Sequence, residues 1–369
     1  MKDPASVKRI AIINDVAGVG SLQTRILNGA GYEAAFFDLP KPAASWPLYA
    51  KLLVIPARLT AYIPIVWKLR RGRYDLIHIH FVSQGFIGLL IGKPFVIQAH
   101  GHDLHTNMNN PLLRWISRLA MKHARAIFYV TPDLSKYLAD FASKSYLLPN
   151  PLDQAFFEGV ETPTRLRKVL IFTRLYPIKG PKEVFASAPT LSRLVELTAI
   201  AWGPLAGQLR ERFNHFVKFI NRVPHRQVPA LIDTFDAVVG QMKLGILSLS
   251  ELEAMARGRV VFMRLDRSLY ADDPPPVIDV SDGSALVDAV RRLQGDPDEF
   301  RRVSDAGRKW VAGHHGLESY LKVLAVGYAL VEPVGELVVV PLPVTGSVVE
   351  LVPAALTQPS LASPKTPQV

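Results

Sequence analysis

The chain has 369 residues, 49% of them hydrophobic and 20% charged, which is enough for two domains with full cores and typical of a folded α/β protein. It contains no cysteine, which excludes disulfides, thiolate metal sites and a cysteine nucleophile and fits a reducing compartment. Its +11 net charge sits at one end, residues 1–150 holding 18 Lys and Arg against 8 Asp and Glu while residues 151–369 hold 25 against 24, and a basic half of that kind attracts nucleic acid, anionic lipid or a phosphorylated substrate.

The opening residues, Met1 to Asp15, lack the long apolar core of a secretory signal, so a cytoplasmic protein is expected. Arg9 to Asn14 reads as a buried strand, followed by the turn Ala17-Gly18-Val19-Gly20 and a helix from about Ser21 to Asn28. A strand, a turn with two glycines and a helix start open a Rossmann-like unit, although the three-glycine dinucleotide fingerprint is missing and a tight turn with no ligand fits equally well. Glu33 to Asp38 is a second strand. The segments Leu52 to Trp67 and Phe81 to Gln98 are apolar but interrupted by Pro, Arg, Lys or Gln, so no transmembrane helix is expected. Over residues 50–73, Lys51, Arg58, Lys68, Arg70, Arg71 and Arg73 alternate with Leu, Ile, Tyr62 and Trp67, the pattern either of an interfacial surface on an anionic membrane or of a solvated basic face.

Tyr74 to His80 is a third strand, Gly85 to Leu90 a short helical segment and Pro94 to Gln98 a further strand, which ends in Ala99-His100-Gly101-His102-Asp103. In open α/β sheets ligands bind at the carboxyl ends of the strands, which makes His100 the strongest candidate of this half; the alternative is a histidine bonded to loop backbone. His100, His102, Asp103 and His105 match no zinc spacing, and no metal site is expected. Helix 111–123, strand 126–130 and helix 133–141 lead to the proline-flanked corner Tyr146 to Pro151, where a hinge belongs.

From Arg167 the alternation restarts. Strand Val169 to Phe172 is followed by Arg174-Leu-Tyr-Pro-Ile-Lys179-Gly180 and a helix from about Pro181. Two cations at such a turn clamp phosphate, the arginine through paired hydrogen bonds and the lysine as a point charge. Strand 197–202 stops at Gly203-Pro204, and helix 205–213, strand 217–220, helix 226–235 and strand 236–239 follow, with Pro224 to Asp233 read as turning a corner. The stretch Lys243 to Phe262 then combines a Gly-containing turn, a helix opening at Ser248 to Ser250 and closing before Gly258, and the strand-like run Arg259 to Phe262. Ser248 with Glu251, or Ser250 with Glu253, forms a capping box. A helix start at a sheet edge favours an anion; the alternative is an ordinary capped helix with Glu253 on a solvated face. Helices 282–293, 297–313 and 317–330 end the folded part, and Asp296-Pro-Asp298 caps the second of them rather than binding a metal. Residues 334–369, punctuated by proline, are expected to be disordered, and Leu342-Pro-Val-Thr-Gly346 within them matches the form of a sorting signal by coincidence.

The motifs Tyr74-Asp-Leu-Ile-His78, His100-Gly-His-Asp103, Leu148-Pro-Asn150, Thr173-Arg-Leu-Tyr-Pro-Ile-Lys-Gly180 and Glu253-Ala-Met-Ala256 occur in an order that resembles the GT-B glycosyltransferases, specifically the large retaining family numbered four, over residues 8–330. The resemblance implies an α/β fold of two Rossmann-like doubly wound domains facing across a cleft. Residues 1–150 would form the acceptor domain, 151–313 the nucleotide-sugar domain, 314–333 a helix packing back toward the first domain, and 334–369 a Pro-rich tail. It further implies retaining, metal-independent transfer from a UDP- or GDP-linked sugar to a hydroxyl of a lipid, polysaccharide or protein, with no other cofactor. By position, Arg174 and Lys179 would hold the diphosphate, assisted by the N–H groups near Leu249 and Ser250, and Glu253 would accept from the ribose hydroxyls. Gly18, Gly20 and Gly203 would admit the donor, His100 would contact the transferred sugar, and His102, Asp103 and Gly245 would face sugar or acceptor. The sequence departs from the family at Gly245, where a second glutamate is common, and at Gly240-Gln241, where Pro-Ser is frequent. The Gly245 departure motivates an alternative, a catalytically silent relative that binds a nucleotide sugar or glycan. The basic half motivates a remote one, a nucleic-acid-binding protein, whose affinity would fall steeply with salt; no nucleic acid is the expectation.

Overall fold

The computed structural model describes residues 7–39, 55–270 and 273–329. The Pro-rich stretch 334–369 and residues 50–54 of the basic segment lie outside the described residues.

The first domain runs β1 (Arg9–Ile13), α1 (Val19–Gly29), β2 (Glu33–Phe37), α2 (Ile55–Arg71), β3 (Leu76–His80), α3 (Phe86–Ile91), β4 (Phe95–Ala99), α4 (His102–His105), α5 (Pro111–His123), β5 (Ile127–Tyr129) and β6 (Ser145–Leu147). Its six strands are all parallel in the order β2-β1-β3-β4-β5-β6. The central strands read RIAII, LIHIH and FVIQA and are almost wholly buried, as a parallel sheet covered on both faces requires. Helices α2, α3 and α5 cover one face, where Tyr62, Leu69, Ile87, Ile91, Ala120 and Met121 meet the sheet.

The second domain repeats the plan with β7 (Lys168–Ile171), α6 (Pro181–Ala186), α7 (Ala188–Leu191), β8 (Glu196–Ile200), α8 (Ala206–Phe213), β9 (Lys218–Ile220), α9 (Val228–Asp233), β10 (Ala237–Val239), α10 (Leu249–Ala256), β11 (Val260–Met263), β12 (Ile278–Asp279), α11 (Gly283–Gly295) and α12 (Pro297–His315). Its strand order, also all parallel, is β12-β11-β10-β7-β8-β9. The final helix, α13 (Leu317–Ala329), lies on the other face of the first sheet, where Tyr320, Leu324 and Tyr328 pack against Ile10, Ile12, Val96 and Phe128. The chain therefore passes between the domains twice, and the two passages are tied together. His315 Nδ1 lies 2.9 Å from the Asn150 carbonyl, and the Leu152 N–H donates to the His315 carbonyl at 3.3 Å.

Two local expectations change, and one strand was not anticipated. The helix expected over 133–141 is instead two 3₁₀ segments, Pro132–Tyr137 and Ala139–Lys144, with Phe141 non-helical. Ser135 bonds the Pro132 carbonyl at 2.8 Å, the local competition by which short polar side chains disfavour an α-helix. The helix after Gly180 breaks into α6 and α7 because Pro189 cannot continue it, and the two-residue strand β12 is too short to leave a pattern.

Candidate active site

Each sheet reverses its strand order once, and the loops leaving such a switch point enclose a crevice. In the second sheet the reversal lies between β7 and β10, so the Arg174 to Lys179 loop and the Gly240 to Ser248 loop emerge side by side. In the first it lies between β1 and β3, with the His100 loop next to them on β4. The two carboxyl edges face one another. The turn Pro132–Tyr137 meets the turn Arg267–Tyr270, and burial pushes the Tyr270 phenol up to about 12, with Asp133 of the facing domain adding to the shift.

On the first domain's edge, among the described residues, the only non-glycine residues with positive φ are Asn14, Ala17 and Phe81, all at the ends of β1 and β3. Backbone held in such sparsely populated conformations clusters at functional sites. Gly18 has φ 84° and open space where a Cβ would stand, whereas a Cβ on Gly20 would collide with the Asn14 carbonyl. The first glycine leaves room for a ligand and the second lets the turn close.

His100 does not bond loop backbone through its ring. Its Nε2 lies 2.8 Å from Nδ1 of His80, and the ring of His80 stacks on His78. His78 Nε2 donates to Gln98 Oε1 at 3.0 Å, so its bare Nδ1 accepts from the Tyr328 hydroxyl of α13 at 2.8 Å. Burial pushes both His78 and His100 down to about 3, which makes them neutral hydrogen-bonding groups rather than cations near neutral pH. Asp103 needs correcting as a sugar or acceptor contact. It is fully buried and accepts from the backbone N–H groups of Val82, His100 and Leu104 at 2.8, 3.0 and 3.1 Å, which fixes the His100 loop. His102 is exposed and bonds Thr106, while His105 pairs with Asp133 at 2.9 Å.

On the second domain's edge the Arg174 guanidinium lies 4.2 Å above the Trp202 ring, and Arg222 lies 4.4 Å from the same ring. Among the described residues neither Arg174 nor Lys179 forms an ion pair with a carboxylate. Burial, with Arg222 nearby, lowers the Arg174 pKa; burial, with Arg174 nearby and Glu251 opposing, lowers that of Lys179. Lys179 is thus close enough to feel both Arg174 and Glu251 in the first turn of α10. That helix takes the first of the two expected caps: Glu251 accepts from the Ser248 N–H at 3.0 Å. The N–H groups of Leu249 and Ser250 have no acceptor among the described residues. Gly203, with φ 135°, sits where any Cβ would strike the Leu175 backbone at 2.7 Å, so it shapes the Arg174 loop from behind.

Gly240 and Gln241, where the sequence departs from the family, have structural roles. A side chain at Gly240 would occupy the place of the Glu251 carboxylate, which receives the Gln241 N–H at 2.8 Å. The buried Gln241 side chain holds the next loop through the carbonyls of Ile246 and Arg264 and the N–H groups of Lys243 and Leu244. Gly245 has φ 71°, and a Cβ there would lie 2.9 Å from Cβ of Asp266. Introducing the missing carboxylate by Gly245→Glu is therefore expected to cost about 1–3 kcal/mol of stability in urea denaturation and to leave activity no higher. A gain in transfer rate without loss of stability would show this backbone reading to be wrong.

Glu253 is buried rather than on a solvated face, and its Oε1 is 2.8 Å from Nε2 of His225. The bond to Glu253 raises the His225 pKa, and burial raises that of Glu253. Pro224 to Asp233 thus does more than turn a corner. His225, Arg222 and Trp202 were missed by sequence reasoning. The two basic residues beside Pro224 were a signal, but nothing local tied them to Glu253 or to Arg174.

Residues 32–156 match the family model described as Glycosyltransferase Family 4. No curated protein sequence matches significantly. Among solved structures, sucrose-phosphate synthase from Thermosynechococcus elongatus superposes with a TM-score of 0.66 at 16% identity, covering 87% of this chain and 98% of that one. HepE from Anabaena, in complex with UDP and glucose, gives 0.66 at 15% identity over 87% and 99% of the two chains. The catalytic domain of starch synthase IV from Arabidopsis thaliana, bound to ADP and acarbose, gives 0.62 at 10% identity over 88% and 100%. Two all-parallel αβ domains and these superpositions agree on the fold: the chain has the GT-B architecture, and residues 32–156 of it match the Glycosyltransferase Family 4 model.

Proposed function

We propose that the protein transfers a sugar from a nucleotide diphosphate to an acceptor hydroxyl, with retention at the sugar carbon. The observation that carries this reading is a pair of cations without carboxylate partners among the described residues, the exposed Arg174 and the partly buried Lys179, on a loop that leaves the switch point beside the one leading into the free N–H groups of α10. Departure of a nucleoside diphosphate builds negative charge on the leaving oxygens, and fixed cations with a helix N-terminus stabilise it without reorganising. On this reading they supply the charge a metal ion would otherwise bring. Glu253, oriented through one oxygen by His225, offers its other oxygen to the ribose hydroxyls. His100, neutral and braced by His80, hydrogen-bonds the transferred sugar from the facing domain. Solved HepE structures hold UDP and UDP-glucose, which supports a UDP-linked donor over a GDP-linked one.

A thermal-shift screen of UDP-, GDP- and ADP-sugars tests the reading, because a ligand that binds only the native state raises the melting temperature. One UDP-sugar is expected to do so and, with a suitable acceptor, to yield a product of unchanged anomeric configuration by NMR. Failure of every nucleotide sugar to stabilise the protein would reject the assignment. Stabilisation without turnover across a broad acceptor panel would favour the silent relative that Gly245 suggests.

A further inference from the structure

The helices α2, α3 and α5 are apolar on two sides. Their inner sides build the first domain's core, which is all the fold requires of them. Their outer sides nevertheless carry Ile63 and Trp67 on α2, Leu90 on α3, and Leu112 and Trp115 on α5, each more than half exposed, with Trp67 at 56% and Trp115 at 62%. Because the three helices lie side by side on one face of the sheet, these five residues share one outer surface. The same helices contain no Asp or Glu, while Lys68, Arg70, Arg71, Arg114, Arg118 and Lys122 are exposed on them. The Arg71 guanidinium lies 4.0 Å from the Trp67 ring, an amphipathic pair with one apolar plane and one charged head.

We propose that the outer face of α2, α3 and α5 docks on an anionic lipid bilayer, with Trp67 and Trp115 entering the headgroup region. Tryptophan favours that depth, and lysine and arginine beside it keep their charge at the phosphates while their stems lie along apolar surface. Charge decides the occupant: among the described residues only Arg118 of the six has a carboxylate partner, Asp140, so a second copy seated on this face would bring two strongly basic surfaces together, whereas anionic headgroups neutralise them. Sequence reasoning confined membrane contact to residues 50–73, and the structure moves half of the surface to α5. If the sugar-transfer reading holds, the docked face also bears on the acceptor, since α5 begins just after the His100 loop and a lipid-borne hydroxyl would meet the first domain there.

Co-sedimentation of the full chain with vesicles tests the docking and uses no nucleotide sugar, so its outcome is separate from that of the donor screen. With phosphatidylcholine vesicles containing about 30% phosphatidylglycerol, binding is expected to exceed that to pure phosphatidylcholine by about tenfold and to fall in about 0.5 M salt. Trp67→Ser combined with Trp115→Ser is expected to lower binding by about tenfold or more at an unchanged melting temperature. Arg70→Glu with Arg71→Glu, also fully surface changes, is expected to remove most of the preference for phosphatidylglycerol. Equal partitioning of the wild type between the two vesicle types would overturn the proposal. So would wild-type binding by the double tryptophan variant, or a dimer in sedimentation velocity that the tryptophan variant disperses.

Discussion

Replacing either Arg174 or Lys179 with alanine is expected to lower kcat/KM for sugar transfer by about 10²–10³-fold, the loss typical of removing one preorganised group that stabilises developing charge. Lys179 is partly buried near Glu251 of the first turn of α10, where water screens a departing diphosphate poorly, and Arg174, though exposed, is held in place by stacking on Trp202. Neither is tied up by a carboxylate among the described residues, so no stabilising ion pair is lost and the melting temperature should hold or rise slightly. Lys179→Ala should also weaken the thermal shift produced by the donor, because the diphosphate is held in the ground state as well. Arg174→Lys is expected to recover only part of the activity, since an ammonium neither stacks on Trp202 as a plane nor offers paired donors. Transfer rates within threefold or so of wild type for both alanine variants would break the link between this cluster and the chemistry.

Asp233→Ala should produce the largest loss of stability, about 3–5 kcal/mol, because it leaves buried cations without their counter-charge. Arg257 and Arg259 are each only 4% exposed. The Arg257 Nε donates to Asp233 at 2.9 Å, a second bond runs from its Nη2 to the other carboxylate oxygen, and Arg259 Nη2 donates to the same residue at 3.2 Å. The two guanidiniums also donate to the carbonyls of Ala155, Glu158, Gly159 and Glu161, so this cluster is what fastens the interdomain segment to the second domain. Asp233→Asn, which keeps the shape but not the charge, should fall between. At about 2–4 °C per kcal/mol for a domain of this size, the alanine variant's transition should move by roughly 10 °C. A change below about 1 kcal/mol in urea denaturation would mean that the carbonyls alone satisfy the arginines.

The elements that sequence reasoning located best are those whose pattern is set locally. Helix α5 was expected over 111–123 and spans Pro111–His123, with Asn110 capping it through the N–H groups of Leu112 and Leu113 and Pro111 at its first position. The central strands were visible because parallel strands covered on both faces are continuous apolar runs. Where side-chain competition for backbone decides the outcome, as over 133–141, the same reasoning failed.

Taken alone, the sequence determined the two αβ halves, the cations and glycine of the β7 loop and the capped start of α10, because apolar runs, caps and turn residues act over a few positions. Tertiary structure alone decided that His80 braces His100, that His225 holds Glu253, that Trp202 carries both Arg174 and Arg222, and that Trp67 and Trp115 share a face. Those pairings depend on strand order and on which helices lie beside each other. Both are settled by burying whole sheets, so they leave no trace in the spacing of the residues they bring together.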